Sequence, residues 1–274
     1  MSEKFTGLIL AAPRKQGENP LSMIEDVSHK CLVKANGVTM LERVIQSLLG
    51  ADNVKRVLIS IDDAAVIDRI PALASLRREG RIEAVQSQDN LYASIAHVAE
   101  KCGDIFPLFV TTADNALQTP QIVDHFLETL SAAKAEVAFG MTPISVIETA
   151  YPETVSTPMQ VHALRDGGYT TCNLYALTND RALRAAEVMR GGGQFRKRNW
   201  RILKAFGLFN LIGYRYKLYS LQGLARAASR RFKLNVVAVS MPFADAGVDA
   251  DKESSFNFVD QALKKRESAG GAVG

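Results

Sequence analysis

The chain opens on a short, unbroken apolar run, Gly7–Ala12 (GLILAA), the pattern of a parallel strand buried on both faces. In Met40–Leu49 the apolar positions Leu41, Val44, Ile45, Leu48 and Leu49 fall at helical spacing. Val54–Ile61 predicts a second strand, closed by Asp62-Asp63 as a turn or helix cap. Ile82–Val85 is a short apolar piece, Leu91–Ala99 reads as a helix, and Phe106–Thr112 reads as a strand ending at Ala113-Asp114-Asn115. Thr119-Pro120 opens the next helix, with Thr119 as its cap and Pro120 at its first position. Glu136–Gly140 is a further strand. This alternation implies a mostly parallel sheet with helices on both faces. Ligands bind such sheets at the carboxyl ends of the strands. The residues just after Gly7–Ala12 and just after Phe106–Thr112 are therefore the first places to look.

The second half is less regular. Thr171–Thr178 predicts a strand, Asp180–Met189 a helix ended by Gly191-Gly192-Gly193, Val236–Pro242 a last strand and Ser254–Lys265 a closing helix. Between them lies a basic, aromatic stretch, Gln194–Leu234. Ser268–Gly274 is small and Gly-rich and reads as a disordered tail, which leaves 1–267 as one domain with 194–234 as a basic helical insertion.

Composition narrows the class. The 274 residues are 47% hydrophobic and 23% charged, ordinary for a globular protein and sufficient for a large core. A formal net charge of +4 suits a polyanionic ligand such as a nucleotide without requiring nucleic acid, which is not expected as a partner. Cys31, Cys102 and Cys172 form no C-x-x-C pair and read as free thiols in a reducing compartment. The N-terminal apolar run is too short for a signal-peptide core, and no stretch reaches the ~18 apolar residues of a spanning helix. The expected location is the cytoplasm, with peripheral contact at the inner membrane surface as a further option.

Three segments carry candidate chemistry. The loop Ala12-Pro13-Arg14-Lys15-Gln16-Gly17 follows a strand and combines cationic side chains with a glycine, so it could wrap a triphosphate. It could equally be a solvated surface loop. Asp114 ends a strongly apolar strand, where a carboxylate can hold a hard cation such as Mg²⁺ or merely close a turn. Asp249 and Asp251 flank one residue just after the last strand. They could ligate a metal, although Asp251 on local grounds better fits a cap for the following helix.

Taken together these residues resemble the MobA-like nucleotidyltransferases, GT-A-type enzymes that include molybdenum-cofactor guanylyltransferase and the sugar- and polyol-phosphate nucleotidyltransferases. GLILAAPRK followed by His29-Lys30-Cys31-Leu32, Gly37 and Leu41-Glu42-Arg43-Val44 is similar to the family's opening L-A-A-G-x-G-x-R, P-K-x-L and L-x-x-V. TTADNALQTPQIVDHFL resembles its strand-D-x-P-L-x-x-P segment, and VDADKESSFNFVDQAL its closing D-x-D segment. The resemblance implies a Rossmann-like (GT-A type) three-layer α/β/α domain. It further implies a Mg²⁺-dependent transfer of NMP from an NTP, with CTP or GTP favoured, to a phosphorylated small-molecule or lipid-like acceptor. Asp114, Asp249 and Asp251 would hold Mg²⁺. Arg14 and Lys15 would neutralise the β- and γ-phosphates, against the backbone of Ala11, Ala12 and Gly17. Lys30, with Arg14, would stabilise charge in the transition state. Ser87 and Asn90 would lie near the nucleoside and Asn173 near the acceptor. Four places depart from the pattern: Pro13 replaces a loop glycine and removes an N–H donor, His29 replaces the proline before the lysine, Ala116 replaces the proline after the first Asp, and the helix-cap position of the closing motif lacks its usual proline. These departures keep open a non-catalytic nucleotide-binding protein on the same fold, and the fold itself also hosts glycosyltransferases that use nucleotide-sugars.

The segment 195–233 concentrates cationic and aromatic residues, including Trp200, the only tryptophan. Such a mixture fits a solvated helix pair with one face on the core, a helix lying on an anionic membrane surface, a lid over a bulky acceptor, or a homodimer interface.

Overall fold

The structure is a computed structural model that describes residues 3–13, 20–152, 160–187 and 213–270. In chain order the elements are β1 (Phe5–Leu10), α1 (Pro20–Ile24), β2 (Lys34–Ala35), β3 (Val38–Thr39), α2 (Met40–Leu49), β4 (Val54–Ile61), α3 (Ala65–Asp68), α4 (Pro71–Arg78) and β5 (Ile82–Gln86). They continue with α5 (Leu91–Lys101), β6 (Leu108–Thr112), α6 (Pro120–Ala132), β7 (Val137–Pro143), α7 (Ile144–Ala150), β8 (His162–Leu164), β9 (Gly167–Leu177) and α8 (Leu183–Ala186). The last three are α9 (Leu221–Phe232), β10 (Val236–Ser240) and α10 (Glu253–Gly270).

The main sheet runs β10-β7-β9-β6-β1-β4-β5, with β8 paired to the outer part of β9. β1, β4, β5 and β6 are mutually parallel and β10 is parallel to β7, whereas β9 runs antiparallel to both β6 and β7. Strand side chains alternate between two helical layers. Ile9, Ile59 and Phe109 pack with α2, α4 and α6, while Leu8, Leu58 and Val110 pack with α5, α8 and α9. This is the expected three-layer α/β/α arrangement with a mostly parallel sheet.

Local rules account for the element boundaries. Thr39 Oγ1 accepts from the Glu42 N–H at 3.3 Å, which satisfies one orphan donor at the start of α2 and leaves Glu42 near the positive end of the helix. Met40, Leu41, Val44, Ile45 and Leu48 are fully buried on its inner face, each contributing about 1.5–3 kcal/mol relative to exposure. Thr119 caps α6 and Pro120 fills its first position, as expected. Gly7 in β1 lets α2 approach closely: a Cβ there would lie 2.6 Å from Leu48 Cδ2.

Some expectations need correction. The helix anticipated over Asp180–Met189 is a 3-10 turn, Asp180–Ala182, followed by the single turn of α8, with Met189 outside the described residues. The tail does not begin at Ser268, because α10 continues to Gly270 and Ser268 Oγ donates to the Lys264 carbonyl at 2.7 Å. Within the basic segment, Leu221–Phe232 is helical, and residues 194–212, with Trp200, lie outside the described residues. Among the described residues no helix is long and apolar enough to cross a membrane.

Candidate functional site

From β1 the chain moves outward through β4 to β5, and β6 returns to the other side of β1. The strand order therefore reverses beside β1, which makes the carboxyl ends of β1 and β6 the topological switch point where such sheets bind ligands. Ala11 extends β1 there, its N–H donating to the Ser60 carbonyl at 2.9 Å, and Ala12 follows. Arg14, Lys15 and Gly17 lie outside the described residues. After β6 the chain turns through Asp114, whose Oδ1 accepts from Thr112 Oγ1 at 2.5 Å. A buried polar network holds this turn. Asn115 Nδ2 donates to Thr111 Oγ1 (3.1 Å) and to the Cys172 carbonyl (3.0 Å), while Gln118 joins Thr111 to Ser47.

Two distant segments meet Asp114. Lys30 stands at the head of the 3-10 turn Lys30–Leu32, and its Nζ donates to Asp114 Oδ2 and Asp251 Oδ1, both at 2.6 Å. The Ala250 N–H donates to the Asp114 carbonyl at 3.2 Å, which fixes the segment Asp249–Asp251 beside β6. Asp249 Oδ2 accepts from Asn173 Nδ2 at 3.1 Å. Asn173 has a left-handed backbone, φ 52°, where the β7–β9 register shifts. That bulge turns an otherwise sheet-bound amide toward the carboxylates. The structure thus brings together Lys30, Asp114, Asp249, Asp251 and Asn173, five of the residues singled out from the sequence. Asp251 reaches Lys30 rather than serving only as a local turn residue before α10.

The electrostatics follow from burial. Desolvation lowers the basicity of the Lys30 ammonium, but Asp114 and Asp251 outweigh it, and its pKa is raised overall. Asp249 is pushed up to about 7, first by burial and then by repulsion from Asp114 and Asp251, with Lys30 and Asn173 acting the other way. Three carboxylates thus share one ammonium, a charge deficit that a divalent cation would fit. Among the described residues no three His, Cys, Asp or Glu side chains form a self-sufficient metal cage. Mg²⁺ does not need one, since it takes one or two carboxylates together with substrate phosphates and water.

The remaining expected residues are placed as follows. Ser87 sits just past the carboxyl end of β5, its N–H donating to the Ile61 carbonyl at 2.9 Å. Asn90 caps α5, its Oδ1 accepting from the Ala93 N–H at 2.9 Å, so this oxygen is committed to the helix. Sequence reasoning missed the support beneath Lys30. His29 is buried, with Nε2 2.9 Å from Asp62 Oδ1 and Nδ1 2.8 Å from Ser28 Oγ. This pairing replaces the rigidity that a proline would give. It could have been suspected from a histidine beside the lysine and an acidic pair at the end of β4. Cys31 and Cys172 are buried, and desolvation holds each thiol up at about 12, which makes both packing residues rather than nucleophiles.

A sheet between two helical layers, with the antiparallel β9 inserted next to β6 and a lysine–carboxylate cluster at the carboxyl ends of β1 and β6, defines a Rossmann-like α/β domain. The MobA-like NTP transferase domain matches residues 23–167, more than half of the chain, and the chain belongs to that family. No curated protein matches it in sequence. Its fold is similar to that of a hypothetical transferase from Thermus thermophilus (TM-score 0.70, 21% identity, 92% of this chain and 99% of that one). It is also similar to CMP:2-keto-3-deoxy-manno-octonic acid synthetase complexed with CTP (TM-score 0.58, 14% identity, 97% and 100%). A third likeness is to 4-diphosphocytidyl-2C-methyl-D-erythritol synthase from Anaerococcus prevotii (TM-score 0.56, 10% identity, 96% and 99%). At these identities the likeness is one of fold.

Proposed function

We propose that this chain transfers the nucleotidyl group of a nucleoside triphosphate to a phosphorylated acceptor, releases pyrophosphate, and requires Mg²⁺. The observation that carries the reading is Lys30 Nζ, 2.6 Å from both Asp114 and Asp251 at the switch point beside β1. Family membership supports the reaction class. Asp114, Asp249 and Asp251 would hold Mg²⁺, which when bound supplies positive charge to polarise phosphate oxygens.

The chain's own residues position and neutralise. Lys30 is the cation of the cluster. On substrate binding its N–H groups are available to a non-bridging phosphate oxygen, where charge builds up in the transition state. An acceptor phosphate oxygen forms the new bond to the α-phosphorus as the bond to the bridging oxygen breaks, and pyrophosphate leaves with that electron pair. The acceptor is already ionised near neutral pH, so positioning and charge do most of the work and no strong base is needed. Asn173 restrains Asp249 on the acceptor side, and Ser87 borders the nucleoside side. Arg14, Lys15 and Gly17 would complete the triphosphate cradle. Among the bases CTP comes first and GTP second, because two of the fold neighbours carry CMP, CTP or diphosphocytidyl in their names.

The test is a thermal-shift panel of the four ribonucleoside triphosphates with and without Mg²⁺, followed by pyrophosphate release with phosphorylated acceptors. A Mg²⁺-dependent shift with one triphosphate, abolished in Asp114→Ala and Asp249→Ala, is expected. If both variants bind nucleotide as the parent does, the site is elsewhere. Binding without pyrophosphate release from any acceptor favours a nucleotide-binding protein without catalysis, the reading that Pro13 and Ala116 motivate.

A further inference from the structure

A second surface carries a different chemistry. The stretch 213–233 contains Arg215, Lys217, Arg226, Arg230, Arg231 and Lys233 and no carboxylate. The sequence has no Asp or Glu between Glu187 and Asp245, although the chain as a whole has a formal net charge of only +4, so its remainder is net acidic. Arg165, Arg226 and Arg230 line a surface cavity of about 160 Å³ together with Leu218 and Ser220. All three are exposed, and among the described residues none is paired with a carboxylate. Arg226 and Arg230 stand one turn apart on α9, a spacing at which like charges repel. The neighbouring carboxylate, Asp166, is committed to α9, both of its oxygens accepting from the Leu221 N–H at 3.1 Å.

Beside this cavity the chain exposes apolar side chains. Tyr216 is 71% and Leu218 61% exposed, and they alternate with Arg215 and Lys217. The turn that holds them is anchored rather than loose. The Arg165 N–H donates to the Tyr219 carbonyl at 2.8 Å, and Tyr214 Oη lies 2.6 Å from His162 Nδ1. Gln222 Nε2 donates to the Ala238 carbonyl in the middle of β10, and Ser229 Oγ to the Val236 carbonyl at its start, so α9 runs antiparallel to β10. The first turn of α9 therefore lies at the carboxyl edge of the sheet, the edge that carries Lys30.

We infer that this face docks the protein on an anionic phospholipid bilayer, with Arg165, Arg226 and Arg230 on lipid phosphates and Tyr216 and Leu218 at the headgroup–acyl boundary. An aromatic and an aliphatic residue set among cations match an interface that is anionic outside and apolar inside. The net acidic remainder is repelled by such a surface, which orients the molecule with this face inward. Docking in this way lays α9 and the turn before it against the lipid, with the first turn of α9 at the carboxyl edge of the sheet. The docking itself does not depend on the nucleotidyl-transfer reading.

The test is co-sedimentation of the full chain with phosphatidylcholine vesicles and with mixed phosphatidylcholine–phosphatidylglycerol vesicles. Binding to the mixed vesicles only, weakened by salt, is expected. Arg226→Ala/Arg230→Ala should bind about 25-fold more weakly, about fivefold per cation, the factor that ~1 kcal/mol per basic residue near an anionic surface corresponds to. Tyr216→Ser/Leu218→Ser should also weaken binding while leaving the charge unchanged. Each variant is accepted once its melting temperature matches the parent's. The inference is overturned by absence of binding to the mixed vesicles, by equal binding to neutral ones, or by variants that bind like the parent. It is also overturned if glycerol phosphate strips the protein from vesicles, which would mark a soluble-phosphate site, or if duplex DNA binds more tightly with the same arginine dependence.

Discussion

Lys30→Met tests the cluster most directly, because methionine keeps most of the apolar stem and removes only the ammonium. The Lys30–Asp114 contact is largely buried, with side-chain exposures of 16% and 13%, and a charge-assisted hydrogen bond of this kind contributes about 1.5–3 kcal/mol. The Lys30–Asp251 contact is 41% exposed on the carboxylate side, so solvent screening holds it to at most ~1 kcal/mol. Relief of the lysine's own desolvation offsets part of this, and a net loss of about 2–3 kcal/mol remains. At about 2–4 °C per kcal/mol for a chain near this size, the metal-free variant should melt about 4–12 °C lower at neutral pH. Without the ammonium, three carboxylates face one another, and Mg²⁺ should raise the melting temperature more in the variant than in the parent. A variant that melts within a degree of the parent would refute the balance described here. An equal Mg²⁺ effect in both proteins would place the cation away from this cluster.

Other predictions follow from neighbouring residues. Asp249 has a folded pKa raised to about 7, above its unfolded value near 3.9, so the native state holds this proton more tightly and this group's contribution to stability falls as pH rises from about 4 to 7. Asp249→Asn should flatten that part of the stability–pH profile, and an unchanged slope in urea melts across the range would contradict it. Gly247 leads into Val248-Asp249, and a Cβ there would lie 2.8 Å from Ile147 Cδ1 and from Thr170 Cγ2. Gly247→Ala should cost about 1–3 kcal/mol by overpacking and should weaken Mg²⁺-dependent nucleotide binding. Asn90→Ala should cost about 1 kcal/mol through the lost cap of α5. Asn90→Ser keeps a cap, so a fall in nucleotide affinity in that variant alone would assign Asn90 to the nucleoside as well, and no fall would leave it a cap only.

Much of the architecture was legible where the signal is local. Val54–Ile61 and Met40–Leu49 appear with the boundaries that their apolar spacing predicts, and Thr119-Pro120 opens α6 as its cap chemistry dictates. Strand direction was not legible in Thr171–Thr178. It depends on the connection, and β9 is reached through the β8 hairpin, whose short strand carries little pattern of its own. The Ala64–Arg81 region also went unread, although Pro71 stands at the first position of α4. Within the site, the ordered motifs pointed to Lys30, Asp114, Asp249 and Asp251. Local capping rules pointed Asp251 to the following helix and gave no sign of Lys30, because its lysine is 221 positions away. The same distance problem hid His29–Asp62 and Asn115–Cys172. A polar residue bound for a remote partner looks, in sequence, like any turn residue.

That separation has a consequence for how the protein is made. Lys30 is translated early, yet its second carboxylate, 221 residues later, emerges roughly 10–45 s afterwards at ordinary elongation rates. The clasp that holds this late segment comes later still, as Asp260 accepts from the Asn36 N–H and Glu267 pairs with Arg43. A chain released just after β10 would carry every strand of the sheet, with Lys30 and Asp114 but without Asp249 and Asp251. Under the proposed function, Mg²⁺-dependent retention on a nucleotide resin should therefore report that synthesis ran through α10.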